Sequence, residues 1–206
     1  ENIHFNDDTI SPLDLGWKAV ACNISDLISS GCSKIIGVNI GLVIPSKTDW
    51  IWIKDLYTGI SLALDHFGGI ILGGDCSVGK EKVISITALG NQGEIKLRRN
   101  SCKPNEIILT TGIHGLSKLG LMIKSKKIFD SDIDLTQSLI NSSLQQFCKP
   151  KLKPKFLKKV LKARPNKNIK IIGCTDSSDG LFQALLDLAT ESNCKAIIDY
   201  TKIPKH

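Results

Sequence analysis

The chain lacks several features that would assign it to a familiar class. No apolar run is long enough to cross a bilayer, so no membrane-spanning helix is expected. The cysteines are odd in number and include no C-x-x-C pair, and the four histidines show no ligand spacing, which argues against a disulfide framework and a zinc site. We therefore expect reduced, buried thiols and a cytoplasmic location. The seven thiols belong to Cys22, Cys32, Cys76, Cys102, Cys148, Cys174 and Cys194.

Aromatic residues are scarce, at 5%, and their scarcity affects how the net charge of +7 is interpreted. Ten of the 27 basic residues and no acidic residue lie between Lys149 and Lys170, where Phe156 is the only aromatic residue. The remainder carries 17 basic against 20 acidic residues. Nucleic-acid surfaces commonly interleave aromatics or arginines with lysines. A solvated connector followed by a helix is the simpler interpretation, and a nucleic-acid-binding face is the alternative.

Hydrophobic periodicity predicts helices alternating with strands in both halves of the chain. Helices are predicted at 11–31, 49–68, 116–124, 135–147, from 155 onward and at 181–192. Strands are predicted at 35–44, 70–72, 82–89, 107–111, 169–172 and 196–199. This alternation indicates an α/β or α+β protein. A change in composition near Pro104 predicts two domains, 1–104 and 105–206.

Two aspartates occupy positions where a carboxylate is costly without a cationic partner. Asp26 falls in the last turn of an apolar helical pattern, where negative charge opposes the helix dipole. Asp75 ends a short hydrophobic strand that we expect to run into a glycine turn, Gly73-Gly74. An exposed aspartate near a helix end and a plain glycine turn are the alternatives. Since Mg²⁺ prefers oxygen ligands, Mg²⁺ carrying nucleotide phosphates is the natural partner for several such carboxylates.

A third acidic segment, Asp176-Ser177-Ser178-Asp179-Gly180, lies between a predicted strand and a predicted helix. Serine and aspartate are ordinary helix caps, and capping is the alternative interpretation. Two acids and two hydroxyls are more than one cap needs. We expect Ser178 to meet a phosphate at the helix N-terminus and the two aspartates to hold a metal.

The segment Gly74 to Glu81 nearly matches the phosphate-binding loop G-x-x-x-x-G-K-[ST]. Glu81 replaces the hydroxyl residue that holds Mg²⁺ in that loop. The loop must also open a helix, whereas the residues that follow are β-branched and predict a strand. The phosphate-loop interpretation is therefore rejected.

Five segments, in order and spacing, resemble thiamine-monophosphate kinases, which belong to the aminoimidazole ribonucleotide synthetase superfamily. They are Ile3-His4-Phe5, Leu15-Gly16-Trp17-Lys18-Ala19-Val20-Ala21-Cys22-Asn23-Ile24-Ser25-Asp26, Gly73-Gly74-Asp75, Arg99-Asn100-Ser101-Cys102-Lys103-Pro104 and Asp176-Ser177-Ser178-Asp179-Gly180-Leu181. The resemblance implies the superfamily's two-domain architecture, with the first domain nearly complete and the second truncated. It also implies phosphorylation of thiamine monophosphate by ATP with Mg²⁺, in a cytoplasmic homodimer without nucleic acid or membrane as partner.

The resemblance further assigns roles to individual residues. Metal ligands are expected at Asp26, Asp75, Asp176 and Asp179. Contacts to ATP are expected at Gly74, Arg99 and Ser178, and His4 is expected to contact the substrate.

Some positions depart from the family pattern. The family's glycine-aspartate turn continues with hydroxyl residues and an arginine, whereas here it continues Cys76-Ser77-Val78-Gly79-Lys80. Lysine cannot reproduce the forked contact of arginine. The chain is expected to be a fragment lacking residues at both ends, and so inactive by itself. A selenophosphate or aminoimidazole ribonucleotide synthetase is the alternative within the superfamily.

Overall fold

The computed structural model describes residues 1–127, 135–164, 166 and 168–204. Helices and strands are mixed along the chain, which confirms the α/β class. The chain divides into two compact units, each made of three segments. Unit 1 comprises Glu1–Ile24, Ile35–Leu89 and Gly115–Lys151, and unit 2 comprises Ser25–Lys34, Gly90–His114 and Leu152–His206. The domain boundary near Pro104 stays a prediction.

The secondary structure follows the predicted order with three exceptions: two predicted strands do not form, and a short strand at Lys96–Arg98 was not predicted. The helices are α1 (Pro12–Ser29), α2 (Trp50–Phe67), α3 (Leu116–Lys124), α4 (Gln137–Cys148), α5 (Pro154–Ala163) and α6 (Leu181–Glu191), with single 3₁₀ turns at Arg99–Ser101 and Tyr200–Lys202. The strands are β1 (Cys32–Ile44), β2 (Ile70–Val78), β3 (Val83–Gln92), β4 (Lys96–Arg98) and β5 (Ile171–Gly173). The β3 strand follows Lys80, so the rejection of a phosphate-binding loop is confirmed.

The two long helices of unit 1 begin at side-chain caps. The Ser11 hydroxyl accepts a hydrogen bond from the Asp14 amide at 3.2 Å, and the Asp49 carboxylate accepts one from the Ile51 amide at 2.8 Å. Each cap satisfies an amide that the helix itself leaves unpaired. The second helix ends at Gly68, whose φ of 97° suits glycine.

Glycines bring α1 and α2 into close contact. A Cβ atom on Gly16 would lie 2.1 Å from the Leu56 carbonyl oxygen, and one on Gly59 would lie 1.9 Å from the Leu13 carbonyl oxygen. The apolar side chains around this crossing form the core of unit 1. Its fully buried members include Val20, Ala21, Ile24, Val38, Leu56, Ile60 and Ala63.

The three-stranded sheet has the order β2-β1-β3, with β1 and β2 parallel. In its register Ile40 lies opposite Gly74, and Gly41 lies opposite Asp75. The expected glycine turn at Gly73-Gly74-Asp75 is therefore wrong, because the strand continues through it to Val78. A Cβ atom on Gly74 would lie 2.0 Å from the Ile40 carbonyl oxygen, so this glycine permits close strand approach and not chain reversal.

Two predicted strands, 107–111 and 196–199, are not formed. Both contain β-branched residues, and both leave them in water, with Ile107 85% and Ile197 84% exposed. A strand is stabilised by pairing with a neighbour and by burying one face. The described residues of unit 2 form one short parallel sheet, β4-β5. Neither 107–111 nor 196–199 pairs with it.

The cysteines are half-buried or exposed. None of the seven is in a disulfide, as predicted, but none is buried, and Cys22 and Cys76 are exposed. The expectation of buried thiols is therefore wrong, since five of them are half-buried and two are exposed. Across the described residues, no helix has both the length and the apolarity needed to cross a membrane.

Candidate functional site

Asp26 lies in the last turn of α1, on the side away from the buried face. Ile24 is fully buried two positions earlier, whereas Asp26 is exposed. Two positions correspond to about 200° of rotation around an α-helix, so the two side chains point to opposite sides. Asp26 is therefore an exposed aspartate near a helix end, as the alternative interpretation of the sequence has it.

The structure brings three acidic side chains of unit 2 near one another. Ser25 donates its hydroxyl to Asp176 Oδ2 at 3.2 Å, which joins the end of α1 to the loop before α6. Partial burial of the carboxyl group raises the pKa of Asp26 above 3.8, and the negative charge of Asp176 adds to the rise. Arg99 lowers the pKa of Asp26, and Asp179 raises it again. Asp26, Asp176 and Asp179 are called the acidic cluster below. At Asp26, partial burial and the neighbouring carboxylates together outweigh the effect of Arg99 on the pKa.

Contacts within unit 2 hold both the side chain and the backbone of Arg99. Its Nε donates to Thr175 Oγ1 at 3.1 Å, and its Nη1 lies 3.7 Å from Asp187 Oδ2 on α6. Its backbone carbonyl accepts a hydrogen bond from the Ser192 hydroxyl at 2.8 Å. These contacts fix the guanidinium beside the acidic cluster while 54% of its side-chain surface stays exposed and able to meet an anion.

The loop before α6 does not use its polar side chains as a helix cap. The N-cap residue is Gly180, with φ of 98°, and no side chain bonds to the first amides of the helix. The capping interpretation of this segment is therefore wrong. Ser178 and Asp179 are exposed and lie immediately before the helix N-terminus, where amides and the helix dipole favour an anion.

The remaining predicted site residues lie in unit 1. Asp75 is exposed on β2 and accepts a hydrogen bond from the Ser77 hydroxyl at 2.9 Å. Gly74 precedes it in the same strand, and His4 is exposed in the segment before α1. Among the residues that the structure describes, no three His, Cys, Asp or Glu side chains are close enough to form a ready-made metal site.

Three residues that orient this site were not predicted from the sequence. Ser25 bonds Asp176, while Thr175 and Asp187 bond Arg99. Ser25 and Thr175 each adjoin a predicted aspartate, a signal that the sequence contains. The sequence around Asp187 does not indicate its contact with Arg99, because that contact depends on how α6 packs against the 3₁₀ turn at Arg99–Ser101.

Family models match almost the whole chain. The model described as AIR synthase related protein, N-terminal domain, matches residues 1–91. The model described as AIR synthase related protein, C-terminal domain, matches residues 103–206.

Curated relatives match along the full length of this chain. It is 42% identical to the thiamine-monophosphate kinase of Prochlorococcus marinus over 206 residues, which are 100% of this chain and 62% of that protein. It is 30% identical to the thiamine-monophosphate kinase of Synechococcus elongatus, covering 99% of this chain and 61% of that protein. The chain thus spans about three fifths of the length of these relatives.

A solved structure has a similar fold. It is described as AaThiL complexed with AMPPCP and TMP, is 23% identical, and superposes with a TM-score of 0.78 over 94% of this chain and 58% of that one.

Proposed function

This chain belongs to the AIR synthase related family, and on that premise we propose that its protein phosphorylates thiamine monophosphate with ATP to give thiamine diphosphate. The observation that carries the proposal is the acidic cluster Asp26, Asp176 and Asp179 beside the oriented Arg99. The names of the curated relatives support the same activity. The similar fold of a protein described as complexed with AMPPCP and TMP supports this pair of substrates.

The chemistry of this reaction suits such a site. One phosphate attacks another, and the attacking group is already an anion, so general-base assistance contributes little. The main obstacle is repulsion between two highly charged groups. Positioning and charge neutralisation then account for most of the catalysis.

We propose Mg²⁺ as the metal. Within unit 2, Asp26, Asp176 and Asp179 are proposed as ligands, and within unit 1 Asp75 is proposed as a ligand. Carboxylate oxygens suit this ion, and the raised pKa of Asp26 indicates a place where added positive charge would be stabilising. Mg²⁺ usually takes one or two carboxylates plus substrate phosphates, so a ready-made trio of ligands is not required. When bound, the ion would supply neutralisation of phosphate charge.

The substrate contacts follow from the same proposal. Arg99 would pair with ATP phosphates through its fork of N–H donors, which Thr175 and Asp187 orient. Ser178 and the uncapped first turn of α6 would bind a phosphate oxygen. Gly74 would allow ATP to approach the β2 backbone, and His4 would contact the thiamine substrate. The cytoplasmic location stays a prediction.

The proposal is tested with the full-length protein that contains this chain. Purified protein is incubated with ATP, MgCl₂ and thiamine monophosphate, and the products are separated by chromatography. Equal formation of thiamine diphosphate and ADP is expected. Hydrolysis of ATP to ADP without thiamine diphosphate would contradict the proposed acceptor and favour another reaction of the family.

We also propose a homodimer, supported by the exposed surface of β2. All nine residues of this strand are exposed, and Ile70, Leu72 and Val78 are 64%, 40% and 75% exposed. Within the described residues β2 pairs only with β1, so one edge has no strand beside it. An apolar strand with an unpaired edge is a common surface for association.

Light scattering after size exclusion tests the dimer. Leu72→Lys should shift the mass to that of a monomer, because it places a charge on the proposed interface. Ile107→Lys is the matched control, since Ile107 is 85% exposed in unit 2. A monomeric parent, or an unshifted Leu72→Lys variant, would contradict the proposal.

A further inference from the structure

The segment before α1 folds into a closed turn that leaves His4 in solvent. The Asn2 amide donates to the Phe5 carbonyl oxygen at 2.7 Å, and Asn6 Nδ2 donates to Asn2 Oδ1 at 2.9 Å. His4 lies between these bonds and is exposed. Short polar bonds of this kind close the turn but do not attach it to the rest of the protein.

Lys82, the residue immediately before β3, attaches the turn at both of its ends. Its Nζ makes an ion pair with Asp7 and lies 3.7 Å from Glu1 Oε1. The two acidic residues flank His4 in the sequence. Only 11% of the Lys82 side-chain surface is exposed, against 22% for Glu1 and 40% for Asp7, so the cation is shielded from salt more than the carboxylates are.

Trp52 of α2 completes the attachment. Lys82 Nζ lies 4.7 Å from the centroid of the Trp52 ring, a cation–π distance. The Trp52 Nε1 donates to Asp7 Oδ1 at 3.2 Å. Lys82 therefore contacts two carboxylates and one aromatic face, and Asp7 receives bonds from two different elements.

We propose that Lys82 is a positioning residue that fixes the Glu1–Asp7 turn so that His4 is presented to the phosphate acceptor. The inference deepens the proposed function and rests on it for the identity of that acceptor. A turn that is already ordered in the free protein loses little conformational entropy when the substrate binds. Fixing the turn therefore increases the affinity for the substrate that it contacts. The residues that move phosphate are elsewhere, so the turnover number should depend little on Lys82.

The test compares three variants of the full-length protein. Lys82→Met keeps the apolar stem and removes the cation, Lys82→Arg keeps the cation, and Lys47→Met changes an exposed lysine of unit 1. Lys82→Met should raise the KM for thiamine monophosphate about tenfold, with kcat and the KM for ATP within about twofold of the parent. Lys82→Arg should restore most of the affinity, and Lys47→Met should match the parent.

Hydrogen exchange provides a readout that does not need activity. The amides of Asp8, Thr9 and Ile10 all bond to Asn6, at 2.8, 2.9 and 3.2 Å. They should exchange at least about tenfold faster in Lys82→Met and at the parent's rate in Lys47→Met. If the parent does not phosphorylate thiamine monophosphate, the proposed function fails, whereas the exchange still decides whether Lys82 holds the turn.

A second variant guards against a change caused only by lost stability. Asp7→Asn removes the charge from the other side of the pair, and it should raise the same KM. Combined with Lys82→Met it should add little, because both changes break one interaction. Additive effects, equal losses in kcat and both KM values, or unchanged exchange in Lys82→Met would overturn the proposal.

Discussion

At the scale of single residues, the charge state of Asp26 is the feature most open to measurement. Partial burial and the charge of Asp176 raise its pKa, so the folded state binds this proton more tightly than the unfolded state does. The contribution of Asp26 to the free energy of unfolding is therefore greatest below the unfolded pKa. It decreases as pH rises through the raised pKa. At neutral pH, where Asp26 is ionised, this contribution is lost, and solvent around the exposed carboxylate keeps the effect small.

Asp26→Asn should consequently raise the melting temperature at pH 7 in buffer containing a metal chelator, by about 1–2 °C. The gain should shrink as the pH falls through the raised pKa of Asp26, because the parent carboxyl then becomes protonated as well. Scanning calorimetry across this pH range measures both effects. Asp65→Asn, on the exposed side of α2, is the control and should change the melting temperature little. A lower melting temperature for Asp26→Asn at pH 7 would contradict the assigned charge environment.

The thiol of Cys174 provides a second prediction at this scale. Partial burial, followed by the charges of Cys102 and Asp176, raises the pKa of the half-buried Cys174 to about 11. Only about one thiol in a thousand is then ionised at pH 8, and the thiolate is the reactive form. Iodoacetamide at pH 8 should label the exposed Cys76 well before Cys174, as peptide mass spectrometry would show. Equal labelling rates in the folded protein would be inconsistent with this environment.

At the scale of elements, the close contact between α1 and α2 depends on two glycines. Alanine normally stabilises a helix interior by about 1 kcal/mol relative to glycine. At Gly16 and Gly59, however, the added Cβ would meet backbone carbonyl oxygens at 2.1 and 1.9 Å. Separating the helices should cost more than the gain in helix propensity.

Gly16→Ala and Gly59→Ala should each lower the free energy of unfolding by about 1–3 kcal/mol. Urea denaturation followed by circular dichroism measures this change. Gly41→Ala is the control, because a Cβ there would meet Ser85 Cβ at an ordinary 3.6 Å, and its effect should stay below about 0.5 kcal/mol. Stabilisation by alanine at Gly16 would show that the helices are not in close contact.

Local sequence signals predicted the helices better than the strands. Ser11, Asp49 and Gly68 cap or terminate their helices as expected, because capping depends on a few neighbouring residues. The runs 107–111 and 196–199 have strand-like composition, yet pairing depends on distant residues that composition does not specify. The same limit explains why Gly73-Gly74 was predicted as a turn, since its role as a close strand contact depends on Ile40.

At the scale of the whole molecule, part of the candidate site could be predicted and part could not. The sequence identified Asp26, Asp176 and Arg99 as residues of one site, and the structure brings them together in unit 2. It left the exposure of Asp26 open, because that depends on which face of α1 is buried. Asp75, Gly74 and His4 lie in unit 1, and their roles stay proposals.

The acidic cluster beside Arg99 is proposed to serve phosphoryl transfer to thiamine monophosphate in the full-length protein. The most direct measurement is the turnover number of full-length Asp26→Asn protein at saturating ATP, MgCl₂ and thiamine monophosphate, with Asp65→Asn as the matched control. We expect Asp26→Asn to lower kcat by at least about 100-fold, because it removes a charge from the site where phosphate charge is neutralised. The control should keep kcat within about twofold of the parent. Full activity of Asp26→Asn would contradict the claim.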